Sequence, residues 1–151
     1  MNYTSLPDFE VCLYKGKNNV SWVYGGIVPD STNKSYRICG IDEEGIRTYS
    51  VDQRSICPWS GVINKDADLI FHLDVLYDSE SYEHYVVVVK NGFSKCCVYN
   101  SAIGELSPDI DLVNLLDLPI VGNLFDSPEI LDSMKIEAQT RDMVSRKKEG
   151  R

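Results

Sequence analysis

A hairpin signal near the middle of the chain restricts the fold more than any other feature. Tyr85–Val89 includes four consecutive valines, and Phe93–Tyr99 follows after Lys90-Asn91-Gly92. Asn-Gly between two apolar runs favours the two-residue turn whose twist matches that of paired strands. Four valines in an exposed strand would invite pairing with other chains. The pattern therefore predicts an antiparallel hairpin whose first strand is buried on both faces.

The first hundred residues contain further short apolar stretches separated by Gly, Pro, Asn and Asp, which is typical of a β protein. A second hairpin is predicted from Ser35–Ile41 and Ile46–Val51 around the acidic turn Asp42-Glu43-Glu44-Gly45. Gly25-Gly26 indicates a bulge or a close backbone approach within another strand. Other strands are predicted at Phe9–Tyr14, Val20–Val28 and Leu69–Tyr77, with a polar turn at Lys15–Asn19.

The C-terminal part of the chain has the pattern of a helix. Ser127-Pro128-Glu129 offers a capping hydroxyl, a proline and an acid, and predicts a helix from Pro128 to about Lys148. A thin apolar stripe along it can dock or pair with a sister chain; its residues are Ile130, Leu131, Met134 and Ala138. Asp109–Leu116, after Ser107-Pro108, fits either a short capped helix or a strand. We expect a β domain over residues 1–131 and a helical, partly basic tail over 132–151.

Charge is unevenly distributed between these two parts. The chain has 15 basic and 23 acidic side chains, a formal net charge of -8. Residues 1–131 hold 9 basic and 19 acidic side chains, whereas residues 132–151 hold 6 basic and 4 acidic ones. An acidic body repels nucleic acid and can present carboxylates to a basic protein. A basic protein is therefore the expected partner, a second copy of the chain is another, and nucleic acid is less expected.

The cysteines and histidines do not form a recognisable catalytic or metal motif. An odd number of cysteines without a secretion signal favours reduced thiols in a cytoplasm, and no apolar run is long enough to span a membrane. A thiol hydrolase using Cys57 with His72 or His84 lacks any nucleophile signature around the cysteine. We expect no metal, no cofactor and no enzymatic activity. The cysteines are Cys12, Cys39, Cys57, Cys96 and Cys97.

Three segments share residues, in the same order, with a known family of proteins. The first is Tyr14-Lys15-Gly16-Lys17 followed by Trp22-Val23-Tyr24-Gly25, the second is Tyr49-Ser50-Val51-Asp52 with Gly61 and Asp74-Val75, and the third is Ile120–Leu131. They resemble the opening, middle and closing segments of the YopX-like proteins of bacteriophages and prophages, which implies a place in the cytoplasm of a bacterial host. Leu73 stands where the family pattern has a glycine before the aspartate, Ser60 replaces a threonine, and a lysine-rich turn is reduced to Asn64-Lys65-Asp66. The resemblance implies a mainly β, barrel-like domain of phage origin and carries over no catalytic residues.

Aromatic and acidic side chains are the candidate binding residues. Trp22, Tyr24 and Trp59 either fill the core or serve as anchors of an interface. The acidic turn adds Asp42, Glu43 and Glu44 to the predicted binding residues.

These features favour a non-enzymatic phage accessory protein that acts by protein–protein binding. Its acidic aromatic surface is expected to inhibit a host defence or nucleic-acid-binding protein. The alternative is a nucleic-acid-binding β-barrel module, in which the same aromatic residues stack on bases. In that alternative Lys15, Lys17, Lys34 and Arg37 follow the phosphate backbone.

Overall fold

The chain folds into two antiparallel sheets and a C-terminal helix. The structure, a computed structural model, describes residues 13–30, 32, 35–91 and 93–150. In this part of the chain a six-stranded sheet has the order β4-β3-β2-β1-β5-β6. Its strands are β1 (Tyr14–Lys17), β2 (Trp22–Asp30), β3 (Ser35–Asp42), β4 (Gly45–Ser50), β5 (Cys57–Ile63) and β6 (Leu69–Phe71).

The second sheet has five strands in the order β10-β9-β8-β7-β11. Neither sheet closes on itself within the described residues, so the predicted mainly β fold is confirmed as two open sheets and not as a closed barrel. The single helix, α1, spans Ile130–Gly150. The strands are β7 (Asp74–Asp78), β8 (Glu83–Lys90), β9 (Phe93–Asn100), β10 (Glu105–Asp111) and β11 (Ile120–Asn123).

The predicted hairpin of the valine run is confirmed as β8 and β9. Lys90 pairs with Phe93, and Asn91 has a φ of 52°, the left-handed conformation that this turn requires. Alternate valines pack on opposite sides of the sheet, since Val86 contacts the helix side and Val87 the other. Both valines are fully buried. The strand is therefore covered on both faces, as its composition predicts.

The predicted hairpin around the acidic turn is also confirmed, as β3 and β4. Asp42 pairs with Gly45 across the turn. The close backbone approach expected at Gly25 is present, because a Cβ atom there would lie 1.9 Å from the carbonyl oxygen of Cys39. No other residue type would fit at Gly25 without moving β3.

The five-stranded sheet lies between two apolar layers. On one side Val75 and Val86 pack against Met134 of α1. On the other side Leu76 and Val87 pack against Ile70 of β6, together with the 3₁₀ turn Leu112–Leu115 and the segment after it. The end of the six-stranded sheet thus covers the face of the five-stranded sheet opposite to the helix.

The single strand predicted over Leu69–Tyr77 is wrong. One strand ends at Phe71 and another begins at Asp74, and the two strands belong to different sheets. The break lies at Leu73, whose φ of 68° is incompatible with a continuous strand. The alternating pattern continues through a turn, which is why periodicity alone misses the change of sheet.

One further local prediction is corrected. Lys15–Lys17 belong to β1 instead of a polar turn, because Lys15 has a buried partner on the other sheet. The turn lies at the next residues, where the side chain of Asn18 accepts hydrogen bonds from the amides of Val20 and Ser21.

Asp109–Leu116, for which the sequence permits a helix or a strand, is divided between two elements. Its first residues continue the edge strand β10, which contains Pro108, and a 3₁₀ turn follows at Leu112–Leu115. An edge strand tolerates a proline, and the pairing with β9 shifts register directly after it.

The helix begins at Ile130, two residues later than predicted, and its apolar stripe faces the chain's own sheet. Met134 and Ala138 are each 2% exposed. Ile130 and Leu131 pack against the same cluster. The stripe predicted to pair with a sister chain is therefore filled from within the chain, and the first turns of the predicted tail are part of the core. The strand predicted over Phe9–Tyr14 lies outside the described residues except for its end, where Tyr14 begins β1.

Candidate functional site

A buried ion pair joins the two sheets. Lys15 on β1 places its ammonium nitrogen 2.6 Å from Oδ1 of Asp74 on β7. The two side chains are 8% and 2% exposed. A charge so far from water is tolerated only with an opposite charge and further hydrogen bonds.

Asp74 receives those further bonds from both neighbouring segments. The amide of Phe71 donates to Oδ2 at 2.8 Å, and Nδ2 of Asn123 on β11 donates to Oδ1 at 3.0 Å. Asn123 is fixed in turn, because its Oδ1 accepts the amide of Phe125 at 2.9 Å. The carboxylate thus holds β1, β7 and β11 together at one point, which we call the junction.

A second ion pair lies next to the junction and is more exposed. Lys17 Nζ is 2.6 Å from Oδ1 of Asp126, and the indole nitrogen of Trp22 donates to Oδ2 at 2.8 Å. Burial alone would raise the pKa of the Asp126 carboxyl, but the bonds from Lys17 and Trp22 outweigh it and lower that pKa. Trp22 also attracts both ammonium groups, since Lys15 and Lys17 lie 4.6 Å and 5.6 Å from its ring centre.

An open cavity of about 580 Å³ borders the junction, and we call it the inter-sheet cavity. Tyr24, half exposed, lies at 5.6 Å from the ring of Phe71, and both rings line the cavity with Trp22. Burial, and then the charge of Asp74, raises the pKa of the Tyr24 hydroxyl. The charged lining consists of Lys15, Asp68, Asp74 and Asp126. Asp74 is paired with Lys15 and Asp126 with Lys17, so Asp68 carries the excess negative charge of the lining. Aromatic walls with excess negative charge favour a cationic guest.

A tight turn fixes Asp68 at the rim of this cavity. Oδ1 of Asn64 accepts the amides of Asp66 and Asp68, each at 2.9 Å. Ala67 between them has a φ of 65°, a conformation that costs a residue with a Cβ atom about 1 kcal/mol or more. The strained residue also lines the cavity. The turn therefore fixes the backbone of Asp68 at the rim of the cavity.

Two of the predicted binding residues lie at the cavity and the others do not. Trp22 and Tyr24 line it. Trp59 lies on β5, is half-buried and donates its indole N–H to the carbonyl of Val62 at 2.9 Å. Glu43 and Glu44 lie at the β3–β4 turn, away from the cavity lining, and Glu44 forms an ion pair with Arg47 at 2.7 Å. Asp42 shares that turn, but its side chain lies outside the described residues.

Sequence reasoning did not select the residues that build the junction. Lys15 was expected in a turn, while Asp74, Asn123 and Asp126 had no catalytic or metal-binding spacing. Each of the four nevertheless belongs to one of the three segments that carry the family resemblance. The structure brings these segments, more than a hundred residues apart at the extremes, to a single site. That common membership is the signal by which the site could have been found.

The thiol of Cys57 lies beside the junction and is fully buried. Burial raises its pKa to about 11, and burial raises that of Cys96 to about 12. His72 is not placed as a base for Cys57, because its Nδ1 accepts the amide of Val89 at 3.0 Å. Within the described ranges, no three His, Cys, Asp or Glu side chains come together as ligands for a metal ion.

Comparisons with known proteins add no family or relative. No family model matches the chain, and no curated protein matches it. No helix in the described part of the chain has the length and apolar composition needed to cross a membrane. Functional inference therefore depends on the geometry of the junction and its cavity.

Proposed function

We propose that this chain is a non-enzymatic binding protein whose inter-sheet cavity receives a cationic side chain of a basic partner protein. The observation that carries the proposal is the cavity lining, where three aromatic rings lie beside the excess carboxylate of Asp68 and the ion-paired carboxylates of Asp74 and Asp126. Lysine and arginine side chains interact favourably with both kinds of group. The acidic body, with its net charge of -10 over residues 1–131, would attract such a partner from a distance.

A phage or prophage origin and inhibition of a host protein form the wider part of the proposal. The three segments that resemble YopX-like proteins contribute Lys15, Trp22, Asp74 and Asn123 to one site. A host defence protein or nucleic-acid-binding protein that exposes a basic surface is the class of partner that the cavity and the body charge fit. An accessory protein of this kind would act by occupying that surface.

Protonated thiols and engaged histidines support a non-enzymatic role. The pKa values of the Cys57, Cys96 and Cys97 thiols are all raised by burial, so each remains protonated and weakly nucleophilic at neutral pH. The ring of His84, on β8 of the five-stranded sheet, is bound to the carboxylate of Glu137 at 3.0 Å, whereas Cys57 lies on β5 of the other sheet. Neither histidine activates a nucleophile in this arrangement.

The alternative of a nucleic-acid-binding module receives less support. Lys15 and Lys17, which would follow the phosphate backbone, are already bound to Asp74 and Asp126. Arg37 donates to the carbonyl of Thr48, and Lys34 lies outside the described residues. A strand of nucleic acid would have to displace the buried carboxylate of Asp74 before Lys15 could bind a phosphate.

Binding of an arginine-rich peptide to the full chain tests the proposed function, with a glutamate-rich peptide of equal length as reference. Asp68→Asn is expected to weaken binding by up to about 5-fold, the size of an exposed ion pair, and Tyr24→Ala by about 2- to 30-fold, the size of a cation–π contact. The matched control is Glu43→Gln, which removes the same charge at the exposed β3–β4 turn and should leave affinity unchanged. Equal weakening by Asp68→Asn and Glu43→Gln would mean that only net charge matters. The proposal would then be withdrawn, as it would if the two peptides bound alike.

A further inference from the structure

The helix carries a second apolar stripe on the side turned away from the sheet. Ile136, Met143 and Val144 are 64%, 59% and 48% exposed, and Thr140 lies between them. Spacings of four and seven residues place these side chains on one face, roughly opposite Met134 and Ala138. We call this set the outer stripe. The outer stripe is exposed, whereas the opposite stripe, which we call the inner stripe, packs against the sheet. The inner stripe consists of Ile130, Leu131, Met134 and Ala138.

A groove continues this stripe toward the β7–β8 turn. It has a volume of about 480 Å³ and runs between α1 and Tyr82, whose side chain is 73% exposed. The helix is held rigidly beside it, because Glu137 binds the backbone and the ring of His84, and Arg141 binds Glu83 at 3.1 Å. A rigid apolar surface loses little conformational entropy when it is covered.

The charges along α1 divide between its two halves. Residues 129–139, which include Glu129 directly before the helix, carry Glu129, Asp132 and Glu137 against Lys135, a net charge of -2. Residues 140–147 carry Arg141, Arg146 and Lys147 against Asp142, a net charge of +2. Glu137 and Arg141 are already bound within the chain, so net charges of -1 and +1 face a neighbouring helix. An antiparallel neighbour with the same sequence would place opposite charges together, whereas a parallel one would place like charges together.

We propose that the outer stripe is a homodimer interface in which α1 packs antiparallel against α1 of a second copy of the chain. Thr140 lies near the two-fold axis, Ile136 faces the second copy's Val144, and the two Tyr82 side chains border the contact. This arrangement is independent of the proposed ligand of the inter-sheet cavity, since none of the residues lining that cavity lies on α1.

The first test is the mass of the full chain in solution at low ionic strength, measured by sedimentation velocity over a range of concentrations. The expected species is twice the 17.1 kDa of one chain. Val144→Glu is expected to weaken the dimer at least tenfold. The matched control, Gln139→Glu, adds the same charge at an exposed position outside the outer stripe and should leave the dimer unchanged. Circular dichroism shows whether Val144→Glu keeps the fold. If it does not, Ile136→Ser takes its place and is expected to weaken the dimer in the same way.

A charge-exchange experiment tests the antiparallel direction. Arg146→Glu with Lys147→Glu reverses the basic half in one variant, and Glu129→Lys with Asp132→Lys reverses the acidic half in another. Each variant alone should dimerise more weakly than the natural chain, and an equimolar mixture should regain part of the lost affinity as a heterodimer. A chain that stays monomeric at millimolar concentration, a dimer insensitive to Val144→Glu, or a mixture no stronger than its components would each overturn the proposal.

Discussion

The two lysines of β1 make ion pairs of the same length in different surroundings. Lys15 and Lys17 each place the ammonium nitrogen 2.6 Å from a carboxylate oxygen, and both lie over the ring of Trp22. The side chains of the first pair are 8% and 2% exposed, whereas those of the second are each 30% exposed. The nitrogen–oxygen distance is the same in both ion pairs, so the pairs differ in burial and not in length.

Burial changes what each pair can do. Lys15–Asp74 is the inner pair, and removing one of its partners leaves an unpaired charge out of water, which destabilises the fold. Lys17–Asp126 is the outer pair, which solvent screens. It contributes about 1 kcal/mol or less to stability, so a ligand can replace one of its partners at little cost in free energy. The inner pair therefore fixes the junction, while the outer pair and the rim are the parts that can exchange partners.

The largest expected effect comes from breaking the inner pair. Asp74→Ala should destabilise the fold by about 3–5 kcal/mol, because Lys15 loses its counter-ion and two N–H donors lose their acceptor. Urea unfolding followed by tryptophan fluorescence measures this loss. The double variant Lys15→Met with Asp74→Ala should be less destabilised than the sum of the single changes. Additive losses would show that the two charges do not depend on each other.

The next effect concerns pH, through the thiol buried beside the inner pair. An unfolded cysteine ionises near its ordinary pKa of 9.0, whereas folded Cys57 does so only at about 11. Between these values the folded state keeps a proton that the unfolded state has released, so stability falls as pH rises from about 9 to 11. Each such thiol contributes a slope of up to about 1.4 kcal/mol per pH unit. Melting temperatures across this range should fall less steeply in Cys57→Ala, and an unchanged slope would contradict the assignment.

A smaller effect is expected at Leu73, directly before Asp74. Its φ of 68° strains a residue with a Cβ atom by about 1–2 kcal/mol, whereas glycine adopts this conformation without strain. Leu73→Ala keeps this strain and loses apolar contacts, whereas Leu73→Gly loses the contacts but relieves the strain. Thermal unfolding should find the glycine variant more stable than the alanine variant by about 1 kcal/mol, the reverse of the usual order in a strand. The opposite order would mean that the backbone at Leu73 is not strained.

The smallest effect is expected for the outer pair. Lys17→Met should cost about 1 kcal/mol or less, and the difference from the natural chain should shrink as salt is added. Urea unfolding at low and high ionic strength provides the measurement. A loss as large as that of Asp74→Ala would remove the distinction between the two pairs.

Local signals predicted the parts of the fold that depend on neighbours in sequence. Asn91 and the valine run specify β8 and β9, and the acidic turn specifies β3 and β4, because turn chemistry and strand propensity act over a few residues. The C-terminal helix was predicted within two residues of its start for the same reason. Mainly β architecture follows from the sum of these signals.

The parts that could not be predicted depend on contacts between distant segments. A lysine in a polar stretch gives no sign that it will be buried, since only Asp74 on the other sheet makes that favourable. The break at Leu73 is hidden because the alternation of apolar residues continues through it. For the inner stripe of α1, composition shows an apolar face but not which surface covers it. The candidate site was found only in part, as its two aromatic residues Trp22 and Tyr24.

The sequence separation of the junction's contacts has a kinetic consequence. Lys15 and Asp74 are 59 residues apart and Lys17 and Asp126 are 109 apart, whereas β8 and β9 are joined by a tight turn. A long loop loses conformational entropy when it closes, before the contact between its ends stabilises the chain. We therefore expect the valine hairpin to form early in folding and the junction to form late. Changes at the junction should then act mainly by accelerating unfolding. The lifetime of the native state, more than the speed of reaching it, would depend on one buried carboxylate.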